Sequence, residues 1–135
     1  MDTIEEAGAY CTTIQMKDFV DLDAARDFMA LNPRPTAAFC VNDPMAVALL
    51  SFARERGVKV PQELSISGFA DLPESSLVSP SLTTVHQDPK VIGRRAAQVL
   101  LKRIAERGKN EAFEMIQITP SLVVRESTSR CVGIE

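Results

Sequence analysis

The sequence predicts an α/β fold built around a parallel or mostly parallel sheet. Three observations lead there. Short apolar runs alternate with longer helix-like runs along the chain, the pattern of strand–helix–strand units. The apolar runs lack polar alternation, as expected for strands covered by helices on both faces. The longer helical runs begin at cap-then-proline signals, Asp43-Pro44 and Asp88-Pro89.

Taken in order, Thr12 to Met16 reads as a short strand. Asp21 is placed to cap a helix whose apolar positions Leu22, Ala25, Phe28 and Met29 share one face. Asn32-Pro33-Arg34-Pro35 breaks the chain, and Thr36 to Val41 follows as a strand buried on both faces. Asp43 suits the cap of a helix that starts at Pro44, runs to Arg56 and closes on Gly57. Leu64 to Phe69 is another buried-type strand. Asp71 to Pro80 is a loop with room for one helical turn, and Leu82 to His86 is a strand. A long helix from Pro89 to Arg107 stops before Gly108, and Phe113 to Ile118 and Ser121 to Arg125 are strand-like around Thr119-Pro120.

Composition narrows the function. The chain has 135 residues, the size of one domain, and 45% of them are hydrophobic, enough for a core. A net charge of −3 gives no reason to expect nucleic acid or an anionic membrane as partner. No run approaches the roughly 20 apolar residues that span a bilayer. Asp2, Glu5 and Glu6 stand where a secretory leader is basic. Cys11, Cys40 and Cys131 are too few and too scattered for a disulfide framework and favour a reducing cytoplasm.

Catalytic chemistry finds little support. His86 is the one histidine, and its place at a strand end favours packing or hydrogen bonding over catalysis. No Cys or His pair has metal-ligand spacing, and Gly68 and Gly93 belong to no phosphate-cradling loop. The expectation is therefore no enzyme, no metal and no cofactor. In parallel sheets ligands sit beyond the C-terminal ends of the strands, which selects Asn42, Asp43, Ala70, Asp71 and Gln87.

Two helices pose a question of cover. The one after Asp43 carries Met45, Leu49 and Phe52 on one face and Ala46, Leu50 and Ala53 on the next, with Val47 widening the stripe. Its second side is covered either by a helix of the same chain or by a second copy, and the pattern favours neither. The one after Asp88 has a broad stripe through Ile92, Ala96, Val99 and Leu100. A basic face of Arg94, Arg95, Lys102, Arg103 and Arg107 lies opposite, the usual look of a solvated surface.

The ordered series Pro35-Thr36-Ala37, Asn42-Asp43, Arg56-Gly57-Val58, Val60-Pro61, Leu64-Ser65-Ile66, Gly68-Phe69, Leu82-Thr83-Thr84-Val85, Gln87 and Leu122-Val123-Val124-Arg125-Glu126-Ser127 resembles the LacI/GalR family of bacterial transcriptional regulators. The resemblance implies a periplasmic-binding-protein-like (flavodoxin-like) sensor of two lobes, with effector in the cleft and a DNA-binding head in front. On that reading residues 1–85 and 121–127 form the second lobe, and 88–118 are elements that pack on the first. Met1 to Gly8 would be the end of a helix inside the second lobe, with the head and most of the first lobe outside this sequence.

Carried over by position, Asn42 stands where the family has a ligand-contacting Asn and Asp43 where it has a helix cap. The usual Gly-Phe-Asp-Asp loop reads Gly68-Phe69-Ala70-Asp71, so the carboxylate that often grips ligand hydroxyls is replaced by a methyl group at Ala70. Gln87 matches a polar residue of the lobe crossover. Val47, Leu50 and Val78 fall on the helix and loop through which the family dimerises. Together these imply a small-molecule effector, a sugar or nucleoside, a homodimer, and DNA contact only through the head. A periplasmic sugar-binding protein of a transporter is the alternative with the same fold.

Overall fold

The computed structural model describes residues 10–105 and 114–130. Helix α1 (Leu22–Ala30) precedes strand β1 (Ala37–Phe39). Helix α2 (Asp43–Glu55), strand β2 (Ser65–Ala70), a short 3-10 turn (Pro73–Ser76), strand β3 (Thr83–His86), helix α3 (Pro89–Ala105) and strand β4 (Ser121–Val123) follow. The strands form one sheet in the order β1-β2-β3-β4. The first three are parallel and β4 pairs antiparallel with β3, Ser121 lying opposite His86. The mostly parallel α/β sheet expected from the sequence is present.

Local signals set the helix ends. Asp21 caps α1, its carboxylate accepting from the amides of Asp23 and Ala24, both at 3.0 Å. Asp88 does the same for α3 through the amides of Lys90 and Val91. Gly57 ends α2 with a φ of +69°, a conformation that costs glycine little. At the start of α2 the cap is Asn42, not Asp43. Asn42 Oδ1 accepts from the Met45 amide at 2.8 Å, and Asp43 is already helical. An Asn-Asp pair offers two cap candidates, and the local sequence does not choose between them.

The core lies on one face of the sheet. Leu64, Ile66 and Leu82 are fully buried under Met45, Ala46, Leu49, Leu50 and Ala53 of α2, with Ala24, Ala25 and Met29 of α1 in the same cluster. Each large aliphatic side chain buried there contributes about 1.5–3 kcal/mol. The second side of α2 is thus covered by α1 of the same chain, and Arg26 sits 5.7 Å from the Phe52 ring across that contact.

Three strand expectations need correction. The run around β1 is buried on one face only: Cys40 is buried, while Phe39 and Val41 are 68% and 62% exposed. No helix among the described residues lies over that face. Residues 12–16 form no strand, because Ile14 and Met16 pack on the core cluster without entering a ladder. Residues 114–118 are irregular for the same lack of a partner strand among the described residues. The expected helix end at Met1 to Gly8, Arg107 with Gly108, Phe113 and Cys131 lie outside the described residues.

Residues after β4 stitch the sheet. The Ser127 hydroxyl accepts from the Thr83 amide at 2.8 Å and donates to the Ile66 carbonyl at 2.6 Å, while its carbonyl accepts from the Ile66 amide. It thereby joins β2 to β3 near the starts of both strands. Helix α3 contributes no buried residue. No helix of the described chain is long and apolar enough to cross a membrane.

Candidate functional site

The parallel strands deliver their C-terminal ends to one edge, and the sequence-selected residues meet there. Asn42 follows β1, Ala70 and Asp71 end β2, and Gln87 follows β3. Ala70 pairs in register with His86 across β2 and β3. Both Ala70 and Asp71 have positive φ, 124° and 56°, which residues with a Cβ adopt rarely and at a cost. A backbone held in such a conformation at a strand edge is a common mark of a functional turn.

Side-chain chemistry divides these residues. Asn42 spends its amide within the chain: Oδ1 caps α2, and Nδ2 donates to the Phe19 carbonyl at 2.8 Å. The second bond tethers Phe19, which is 66% exposed, beside the strand end. Ala70 contributes only a methyl group. Asp71 is held from two sides. Its Oδ1 accepts from Arg125 Nη2 at 2.7 Å, and its Oδ2 meets His86 Nδ1 at 3.0 Å. Arg125 also donates through Nη1 to the Leu82 carbonyl at 2.7 Å. The hydrogen bond from Arg125, reinforced by its charge and by His86, holds the Asp71 carboxyl below its usual range against the opposing effect of burial. Gln87 is exposed, and its side chain makes no hydrogen bond to any described residue.

Asp43 lies just behind this edge and is 2% exposed. Its carboxylate accepts from the Leu72 amide and Ser75 Oγ, both at 2.8 Å, and from Thr84 Oγ1 at 2.5 Å. It ties α2, the loop after β2 and strand β3 into one unit. Cys40 is buried nearby, and burial pushes its thiol up to about 12, so it is an unreactive core group. Among the described residues no group of three His, Cys, Asp or Glu is placed to hold a metal ion.

Arg125 and Phe19 were not singled out from sequence. Arg125 sits in a strand-like run 54 residues from its partner Asp71, and nothing local reveals the pairing. Phe19 carries a weak signal, a large aromatic between Asp18 and the cap Asp21. Of the proposed dimer residues, Val47 and Val78 are half-buried at the rim of the core, whereas Leu50 is buried within the chain.

The Asp71 pairing predicts a pH dependence. A carboxylate held below its unfolded value stabilises the fold above that value and loses the contribution as pH falls through the folded one. The urea midpoint should therefore drop between neutral pH and about pH 3. Arg125→Met should start lower at neutral pH and lose less over the same interval. Parallel losses in the two proteins would remove the claim.

The sequence matches the periplasmic binding protein-like domain family over residues 2–128. It is 38% identical over 106 residues to the HTH-type transcriptional repressor PurR of Photobacterium profundum, covering 78% of this chain and 31% of that protein. The fold is similar to a LacI-family transcriptional regulator of Sanguibacter keddieii, with TM-score 0.84, 30% identity, and coverage of 93% of this chain and 48% of that one. It is also similar to the transcriptional regulator CelR in complex with cellobiose, with TM-score 0.82, 27% identity, and coverage of 93% and 39%. The chain thus spans about a third of the curated relative and less than half of each matched structure.

Proposed function

Because this chain belongs to the periplasmic binding protein-like domain family, in the form found in LacI/GalR-type regulators, we propose that it is part of the effector-sensing unit of a transcriptional regulator. The observation that carries this is the strand-end edge itself. Phe19, Asn42, Ala70, Asp71 and Gln87 converge from four separate segments on the side of the sheet where open α/β folds bind ligands. The relatives matched are repressors, which favours a regulator over the transporter alternative and over an enzyme. Cytoplasmic residence follows from that reading.

The edge suits a neutral, hydroxyl-bearing effector. Phe19 offers an exposed aromatic surface beside Asn42, and Gln87 offers both a donor and an acceptor. Asp71 is already paired with Arg125 and hydrogen-bonded to His86, so its carboxylate is spent within the chain, where it positions the turn. With Ala70 in the central position, recognition rests on Phe19 and Gln87 rather than on a carboxylate grip. A ligand on this edge has one face in water, so binding to this chain by itself should be millimolar or weaker. An amide NMR titration with cellobiose and with a nucleoside checks this. The expected shifts cluster at Phe19, Asn42, Ala70, Asp71 and Gln87. Shifts scattered over the other faces of the domain would refute the assignment.

Dimerisation is proposed through the rim of α2 and the loop after β2. Val47 and Val78 are half-buried there with surface to offer. Val47→Glu should shift the chain toward monomer in sedimentation without lowering its melting temperature much. Leu50 is not a clean probe, because a charge at a buried position unfolds the chain whatever its oligomeric state. A monomeric wild type at high concentration would exclude the interface.

A further inference from the structure

A second feature lies beside the edge, where the chain leaves β3 and returns before β4. His86, Gln87, Asp88, Ile118, Thr119 and Ser121 line a cavity of about 250 Å³ with the first turn of α3. Asp88 is committed to capping that helix. Gln87 makes no side-chain hydrogen bond to a described residue, and His86 makes one, through Nδ1. Its partner, Asp71 Oδ2, is an acceptor only. The bond therefore requires the proton on Nδ1. In the neutral ring the proton count then leaves Nε2 as a bare acceptor.

We propose that this cavity is a subsite for a hydroxyl or amine donor group of the effector, with His86 Nε2 as the acceptor and Gln87 beside it. Asp71 and Arg125 are positioning residues. Arg125 binds the carboxylate on one oxygen and turns the other toward the imidazole. The arrangement selects for donors, since a ligand offering only acceptors meets a lone pair at Nε2. It also places a recognition group on the segment that joins the sheet to α3, so a bound ligand would brace that crossover. The proposal rests on the effector-edge reading above and sharpens it by naming the ligand chemistry required at one end.

The chain has one histidine, so its ring is observed without ambiguity. A long-range proton–nitrogen NMR correlation on the folded chain, at alkaline pH where an imidazole is neutral, reads the tautomer directly. The expected spectrum has Nδ1 protonated and Nε2 bare, with Asp71→Ala restoring the Nε2–H form that free histidine prefers. Millimolar glucose, a compact carrier of hydroxyl donors, should shift the Nε2 resonance, and its fully O-methylated glucoside should not. A wild-type ring protonated on Nε2 would overturn the proposal, as would an Nε2 signal that glucose leaves unmoved or that both sugars move equally. Should glucose move the Phe19 and Asn42 amides but not Nε2, the effector edge stands and this subsite falls.

Discussion

Replacing Asp43 by alanine is expected to cost about 2–5 kcal/mol of folding stability, the size expected when several buried neutral donors lose their common acceptor. The cause is the set of donors left behind. Thr84 and Ser75 are fully buried, so water cannot take the place of the carboxylate. The Thr84 hydroxyl, the Ser75 hydroxyl and the Leu72 amide would each lose an acceptor, at about 1–3 kcal/mol for each group left unsatisfied and less where a hydroxyl turns elsewhere. A loss of this size is a large fraction of the 5–15 kcal/mol typical of a domain, roughly. Asp23→Ala is the control. Its ion pair with Arg26 at 2.6 Å is well exposed on both sides, so its removal should change stability by less than about 1 kcal/mol. Urea denaturation followed by circular dichroism compares the two. Equal midpoints for Asp43→Ala and Asp23→Ala would sink the argument.

Gly68→Ala should be nearly as damaging, although it adds a single methyl group. A Cβ at Gly68 would collide with the Asp43 carboxylate and stand 3.2 Å from both Asp43 Cα and the Leu82 side chain. Asp43 cannot yield, because three hydrogen bonds hold its carboxylate in place. Overpacking of a tight core costs about 1–3 kcal/mol, and a rigid polar neighbour puts this site at the upper end. The mechanism has a sharper consequence. In the Asp43→Ala background the carboxylate collision is removed and only the 3.2 Å contacts with the residue 43 Cα and the Leu82 side chain remain, so Gly68→Ala should cost less there. A double-mutant cycle should give an interaction energy of about 0.5–3 kcal/mol. Costs that add would show that the collision is not with Asp43.

Much of the fold was legible because its signals are local. Asp21 and Asp88 lie two and three residues from the amides they cap, and Gly57 supplies its own backbone conformation. The apolar stripes of α1 and α2 and the strand runs through Leu64, Ile66 and Leu82 have the periods of the elements they form. The strand runs at residues 12–16 and 114–118 misled, because ladder formation needs a partner and sequence period alone does not supply one. The two-sided burial expected around Phe39 failed on the same point: a run of apolar residues records what it tolerates, not what covers it.

The candidate site was legible in position but not in chemistry. The rule that ligands bind at strand ends selects Asn42, Ala70, Asp71 and Gln87 from the sequence, and the fold sets them on one edge. The rule did not show that Asn42 caps its own helix, nor that Asp71 is held by Arg125 and His86. It also passed over Phe19. Asp43 looks like a cap from its local sequence, whereas its carboxylate acts on Leu72, Ser75 and Thr84, which are 29, 32 and 41 residues away.

The sequence alone determined the alternation of strands and helices, the starts of the three described helices to within a residue or two, and which residues stand at the C-terminal ends of the strands. Each follows from interactions within a few residues or from the fixed direction of parallel strands. Tertiary structure alone decided which polar groups are spent and which remain available. Asp43, Asp71, Arg125 and Ser127 find their partners between 15 and 61 residues away. Such pairings depend on directional bonds a few ångströms long between surfaces that meet only after the chain has folded. That is why the Gln87 side chain is left without a hydrogen bond to a described residue while Asp71, equally polar in sequence, is spent on Arg125 and His86.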